Sequence, residues 1–138
     1  MQYRLATGDD ALLLAQMNRR LIRDEGHRNP MSEAELTTRM RGWLAGEYQA
    51  VVFEDDAGPA GYALFRSEPD YVYVRQFFVE PARRRQGIGR AAIEHLAKHF
   101  WKDRPQVRID VLWGNSPAVE FWRSVGFAEY CITMERSL

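Results

Sequence analysis

The arginines of this chain are densest at one place. From Val79 to Arg90 the sequence runs Val-Glu-Pro-Ala-Arg-Arg-Arg-Gln-Gly-Ile-Gly-Arg, which sets Arg83, Arg84, Arg85 and Arg90 around Gly87 and Gly89. Guanidinium forks match phosphate oxygens in pairs. Glycines let a backbone turn tightly with its N–H groups pointing outward. An apolar periodic run begins at Ile88, and the first four N–H groups of a helix have no internal partner and carry the positive end of its dipole, about half a unit charge. The chemistry that suits this set is diphosphate binding. The competing reading is a solvated basic face with no ligand.

For the loop to work, a strand must end before it and a helix begin after it. Residues 71–79 read as that strand, and Pro81 ends it by removing a ladder donor. Ile88, Ala92, Leu96 and Phe100, flanked by Ile93 and Ala97, predict a helix over 88–102 with one buried face. Upstream, residues 48–53 and 60–65 predict an antiparallel hairpin about the turn at 54–59, which 71–79 extends into a meander. Residues 2–6 read as an edge strand. Thr7 with Asp10, and Ser32 with Glu35, have the form of capping boxes opening helices that run to about Asp24 and Gly46.

Downstream, Val107, Ile109, Val111 and Trp113 alternate with Arg108, Asp110 and Leu112, the period of a strand. It returns parallel to 71–79 through a right-handed crossover. Asn115 or Ser116 caps a short helix with Pro117 in its first turn and Gly126 at its end. Residues 128–135, with Tyr130, Ile132 and Met134 on one face, predict a last strand. The fold class is α/β (α+β), a mixed central sheet of about six strands with four helices, in the order β-α-α-β-β-β-α-β-α-β.

A chain of 138 residues suits one domain, 1–138. Nineteen basic residues balance nineteen acidic ones, so no overall field draws the protein to nucleic acid or to an anionic membrane, and the arginine loop is a local device. The apolar runs, such as 11–15, fall far short of the ~18 residues that cross a bilayer, and no secretion signal opens the chain. Cys131 is single, which excludes an internal disulfide and fits a reducing, cytoplasmic setting; it reads as core.

The loop resembles the acyl-CoA-binding motif of the GNAT superfamily of N-acetyltransferases, Arg/Gln-x-x-Gly-x-Gly/Ala, met here by Arg84, Gly87 and Gly89. The element order is that superfamily's order. Asn115, Ala118, Phe121, Gly126 and Phe127 are similar to its Asn-x-x-Ala-x-x-Phe-Tyr-x-x-x-Gly-Phe stretch, with Trp122 where tyrosine is usual. The resemblance implies acetyl-CoA as acyl donor, without a metal, and a primary amine of a small molecule or peptide as acceptor. It also implies that the strands flanking the loop helix splay apart around pantetheine. By position, the main chain of Phe77, Phe78 and Val79 would pair with pantetheine. The N–H groups of Arg85, Gln86, Gly87, Ile88, Gly89 and Arg90 would take the diphosphate. Asn115 would approach the pantetheine or acyl end, Phe121 and Trp122 would pack the channel or plain core, and the chain would pair with a second copy. Gly89 reads as admitting the phosphate, so that valine there would block it and leave the fold intact.

Amine attack on a thioester needs a base, an oxyanion donor and a proton for the departing sulfur. A backbone N–H near Phe78 or Val79 is the expected donor. Trp122 cannot protonate sulfur as tyrosine would; Tyr130 is the candidate acid, with Tyr73 as a substitute, each also readable as structural. The strand before the loop carries no acid until Glu80, so Glu25, in a loop with Asp24 and His27, is the candidate base against the plainer reading of a solvated turn. A catalytically weak or inactive module of the same fold, binding CoA or a protein partner, is the alternative that the missing tyrosine and strand carboxylate favour. Gly87-Ile88-Gly89-Arg90-Ala91-Ala92 also fits a dinucleotide fingerprint, but six polar or proline residues separate Gly87 from the strand and the preceding strands form a meander. His95 and His99 share a helix face without a His-Glu-x-x-His pattern or cysteines, which argues against a metal.

Overall fold

The structure, a computed structural model, describes residues 1–26 and 28–138. Five strands and four α-helices form among the described residues: β1 (Gln2–Leu5), α1 (Ala11–Asp24), α2 (Glu33–Ala45), β2 (Tyr48–Asp55), β3 (Gly58–Ser67), β4 (Tyr71–Val79), α3 (Ile88–His99), β5 (Gln106–Ile109) and α4 (Ser116–Ser124). The sheet order is β1-β2-β3-β4-β5. Neighbours from β1 to β4 are antiparallel, and β5 lies parallel to β4.

Alternating side chains divide the core in two. Val51, Phe53, Phe65, Val72 and Val74 face α3 and α4, where Ile88, Leu96 and Trp122 meet them. Val52, Tyr62, Leu64 and Phe78 face the other way, against Leu14 and Met17 of α1 and Met40 of α2. The sequence signals hold at both helix starts. Thr7 and Asp10 close a capping box on the 3-10 turn Gly8–Asp10 that leads into α1, and Ser32 and Glu35 close one on α2.

Two irregularities set the course of β4. Leu64 pairs with Gln76 and Phe65 with Val74, so Arg75 is one residue too many and forms a bulge. At Gly61 of β3, opposite Val79, the β4 backbone occupies the space a side chain would need. A Cβ there would lie 2.0 Å from the Phe78 carbonyl oxygen, so only glycine fits.

Residues 128–138 carry no strand, which corrects the expected sixth one. A strand needs an edge to pair with, and β5 offers four residues before residues 110–113 leave the sheet. Tyr130, Ile132 and Met134 are accordingly exposed, as is Cys131, which was expected in the core. No helix among the described residues is long and apolar enough to cross a membrane.

Candidate active site

A gap opens along one edge of β4. The β4–β5 ladder has four rungs, from Tyr71–Gln106 to Val74–Ile109, after which β5 stops and the chain turns towards α4. From the Arg75 bulge to Val79, β4 pairs only with β3. The Glu80 N–H donates to the Ala60 carbonyl at 2.8 Å and the Phe78 carbonyl lies against Gly61, so with the strand's period of two, Phe78 faces β3 while Phe77 and Val79 face the gap. This corrects the expectation for the Phe78 main chain, which is committed to the sheet.

At the mouth of the gap, the turn Pro81–Arg83 brings the chain to the glycine loop. Arg85 has φ of +63° and Gly87 +75°, left-handed conformations that turn successive N–H groups to one side. None of the N–H groups of Arg85, Gln86, Gly87, Ile88, Gly89 and Arg90 donates to a protein acceptor among the described residues; the first amide of the helix with a backbone partner is that of Ala91, to the Gly87 carbonyl at 3.0 Å. Residues 84–87 are exposed. Six amides at the positive end of a twelve-residue helix are donors of the kind an anion can take up.

The loop's arginines are mostly tethers. Arg83 bonds Asp55 of β2. Arg84 donates through Nε to the Val79 carbonyl at 2.9 Å and through Nη2 to Asp24 at the end of α1. Arg90 donates to the Ser124 carbonyl at the end of α4, 2.9 Å away. Arg85 alone of the four has no protein partner among the described residues. The fixed charge available to a ligand is therefore smaller than four guanidinium groups suggest, and the loop is better anchored.

Aromatic rings fill the gap's inner wall. Phe77 stacks on Phe121 with centroids 5.9 Å apart and meets Trp122 edge-on at 5.2 Å. Trp122 is 7% exposed and belongs to the core. Asn115 caps α4, its side chain accepting from the Ala118 N–H at 3.3 Å, and its own amide NH2 has no protein acceptor among the described residues. Gly89 has a different role from the one expected. A Cβ there would come within 3.0 Å of the Phe121 ring, so the glycine admits a side chain of α4, and valine would disturb the packing as well as any ligand.

The titratable candidates are scattered. Tyr130 is 74% exposed, its ring 4.5 Å from the Arg108 guanidinium, which also covers Tyr71 at the far end of β4 from the glycine loop; the structure does not bring it to the loop. Tyr73, near the closed end of the gap, donates to Asp110 at 2.9 Å, and burial together with that bond pushes its hydroxyl up to about 12. Both oxygens of Glu80 are taken by Arg20 of α1, at 2.8 and 3.0 Å. Glu25 follows α1, its N–H donating to the Leu21 carbonyl, and its charge acts on the buried Tyr62 hydroxyl. His27 lies outside the described residues.

A polar cluster with no mark in the sequence lies on the opposite side of β4. Tyr62 donates to Gln76 Oε1 at 2.7 Å, and burial pushes the Tyr62 hydroxyl well above its ordinary value. Arg39 of α2 and Arg75 of the bulge both lie against the Trp43 indole, 4.4 and 4.7 Å from its ring centre. Nothing in the spacing of Arg39 and Trp43 marks them apart from any helical i, i+4 pair; the bulge that adds Arg75 is the missing signal.

A strand pair thus parts beside a bulge, with an amide-lined loop at its mouth. The Acetyltransferase (GNAT) family matches residues 15–127, and the chain belongs to that family. The fold is shared with a point mutant of the BH1408 protein from Bacillus halodurans, at TM-score 0.83 and 24% identity, covering 100% of this chain and 99% of that one. A predicted acetyltransferase from Clostridium acetobutylicum solved with acetyl-CoA is similar at TM-score 0.75 and 20% identity, covering 99% and 95%. The aminoglycoside N-acetyltransferase AAC(6')-Iy in complex with CoA is similar at 0.76 and 14%, covering 99% and 93%. Among curated proteins none matches the sequence.

Proposed function

We propose that this protein, acting as one domain, transfers an acetyl group from acetyl-CoA to a primary amine of a small molecule or peptide. The observation that carries the reading is the row of six unpartnered amides from Arg85 to Arg90 at the mouth of a gap in the sheet. They suit a diphosphate, and the outward main chain of Phe77 with the N–H of Val79 suits the amide-bearing arm behind it; two proteins of this fold are solved with acetyl-CoA or CoA. Arg85, Gln86 and Asn115 are the side chains with spare donors near such a ligand.

Acetyl-CoA supplies an activated acyl group, and the chain's own groups do the rest. The N–H of Phe77 or Val79 faces the gap and is the donor for oxygen charge developing on the acyl carbonyl. Glu25 takes the proton released by the attacking amine, directly or through water. Tyr73 keeps its proton, because a phenol at about 12 is a far weaker acid than a thiol at ~8.5, so the sulfur leaves as thiolate and is protonated by solvent. Backbone positioning supplies much of the rate in this scheme. Cys131, unpaired and exposed, is consistent with the cytoplasm, and the apolar side chains exposed at Tyr130, Ile132 and Met134 are consistent with pairing to a second copy.

The test is calorimetric binding of acetyl-CoA together with CoA release over a panel of amines. Saturable binding with turnover on at least one amine is the expected result. Binding without turnover on any acceptor would favour the second reading, a non-catalytic CoA-binding module, for which the weakness of Tyr73 as an acid at the gap's closed end is the supporting observation.

A further inference from the structure

Among the described residues, Arg39 and Arg75 have no structural partner equal to their charge. Other arginines near β4 are committed: Arg20 to Glu80, Arg66 to Glu68, Arg84 to Asp24. Arg75 forms no hydrogen bond or ion pair among the described residues; its contact is the Trp43 ring. Arg39 reaches only the Asn18 Oδ1, at 3.1 Å, and the same ring. Its Nε is buried without an acceptor, and so is the Nδ2 of Asn18, a residue 1% exposed. Leaving a charged donor dehydrated and unpaired is costly, as is holding two like charges about one indole. Burial, and then Arg75, accordingly depress the Arg39 guanidinium below its ordinary value. A structural role would have been served by any carboxylate, and among the described residues none is within ion-pair distance.

The place matters as much as the charge. Arg75 is the bulge residue at the point where the gap closes, one residue beyond the last β4–β5 rung at Val74. A ligand lying along β4 with its anionic end at the glycine loop points its other end here. Arg39, Trp43 and Gln76 lie on the side of β4 that faces α1 and α2, across the strand from the aromatic wall, and Glu25 acts on the Tyr62 hydroxyl in the same cluster.

Resting on the acetyl-transfer reading, we infer that the acceptor is an amine that also carries an anionic group, a carboxylate or a phosphate, which Arg75 and Arg39 bind beside Trp43. The acceptor's anion answers the two guanidinium groups, so charge fixes which end of the molecule is held away from the thioester. Arg75 is exposed, so it is the residue to change without unfolding the protein.

The experiment measures CoA release on matched amines: L-phenylalanine against phenethylamine, L-lysine against its amide, and glucosamine phosphate against glucosamine. It uses the wild type, Arg75→Gln and Arg39→Gln, with acetyl-CoA calorimetry on each. The anionic member of at least one pair is expected to show kcat/KM tenfold or more above its neutral mate. Arg75→Gln removes that preference through KM while acetyl-CoA binding stays unchanged, and Arg75→Lys restores part of it. Equal or better turnover of the neutral members overturns the inference, as does an unchanged preference in Arg75→Gln. So does failure of every anionic amine both to turn over and to bind the CoA-loaded protein when acetyl-CoA itself binds. A wild type that binds no acetyl-CoA would instead sink the cofactor reading on which this one stands.

Discussion

On the gap side of β4, Arg83, Arg84 and Arg90 each end on a protein acceptor and hold the glycine loop to β2, α1 and α4, while the ligand-facing donors are backbone amides. On the α1–α2 side, Arg39 and Arg75 gather about Trp43 with no carboxylate between them among the described residues. The same residue type serves as tether in one region and as unspent charge in the other. What differs is the neighbour: a guanidinium with an acid or backbone carbonyl in reach fixes structure, and Arg39 and Arg75 have neither among the described residues. In the proposed reading the loop would hold an anion through backbone amides, and the opposite cluster through side chains.

The sharpest way to break both regions at once is where β3 supports the strand they share. Gly61→Ala of β3 would place a methyl 2.0 Å from the Phe78 carbonyl of β4, and we expect a loss of about 3 kcal/mol or more in urea unfolding, with acetyl-CoA binding and acceptor preference failing together. Gly89→Val should act on the loop alone. It crowds the Phe121 ring at 3.0 Å, for a loss of about 1–3 kcal/mol with weaker acetyl-CoA binding; unchanged stability would deny the packing role. Separating charge from tether comes next. Arg85→Gln should raise the acetyl-CoA Kd about tenfold at constant Tm, whereas Arg90→Gln, which loses its bond to Ser124, should lower stability by about 1 kcal/mol and change Kd by about twofold. If Arg90→Gln hurt binding more than Arg85→Gln, the division between tether and free cation would be wrong.

Asp10 lies outside both regions and provides the smallest effect. Arg4, bonded through two nitrogens at 3.0 Å, holds the Asp10 carboxyl below its ordinary value, so ionised Asp10 stabilises the fold fully above about pH 4 and loses that contribution as pH falls through the lowered value. Asp10→Asn should flatten this part of the acid-unfolding profile and remove about 1 kcal/mol at neutral pH through the capping box, leaving acetyl-CoA binding alone.

Much of this was legible in the sequence because it is local. Thr7 and Asp10, Ser32 and Glu35, and the periodic run from Ile88 carry their own signals and form the elements they predict. The loop's outward amides follow from glycine spacing against a helix start. What was not legible depends on partners far along the chain. Arg84 meets Asp24 sixty positions away and Arg90 meets Ser124 thirty-four away, so their duty as tethers leaves no local mark. The alternation at Tyr130, Ile132 and Met134 has strand period, yet no sheet edge waits for it, because β5 ends at Ile109. The Arg75 bulge is a register shift between β3 and β4, a property of two strands and not of either alone.

The amides of Arg85 to Arg90 are proposed to hold a diphosphate. The direct measurement is a titration of isotope-labelled protein with acetyl-CoA, following each backbone amide by NMR. Saturable shifts are expected, largest across those six residues, with Phe77 and Val79 next and Phe78 moving less than either. Saturable binding that left residues 85–90 unmoved while shifting another surface would contradict it.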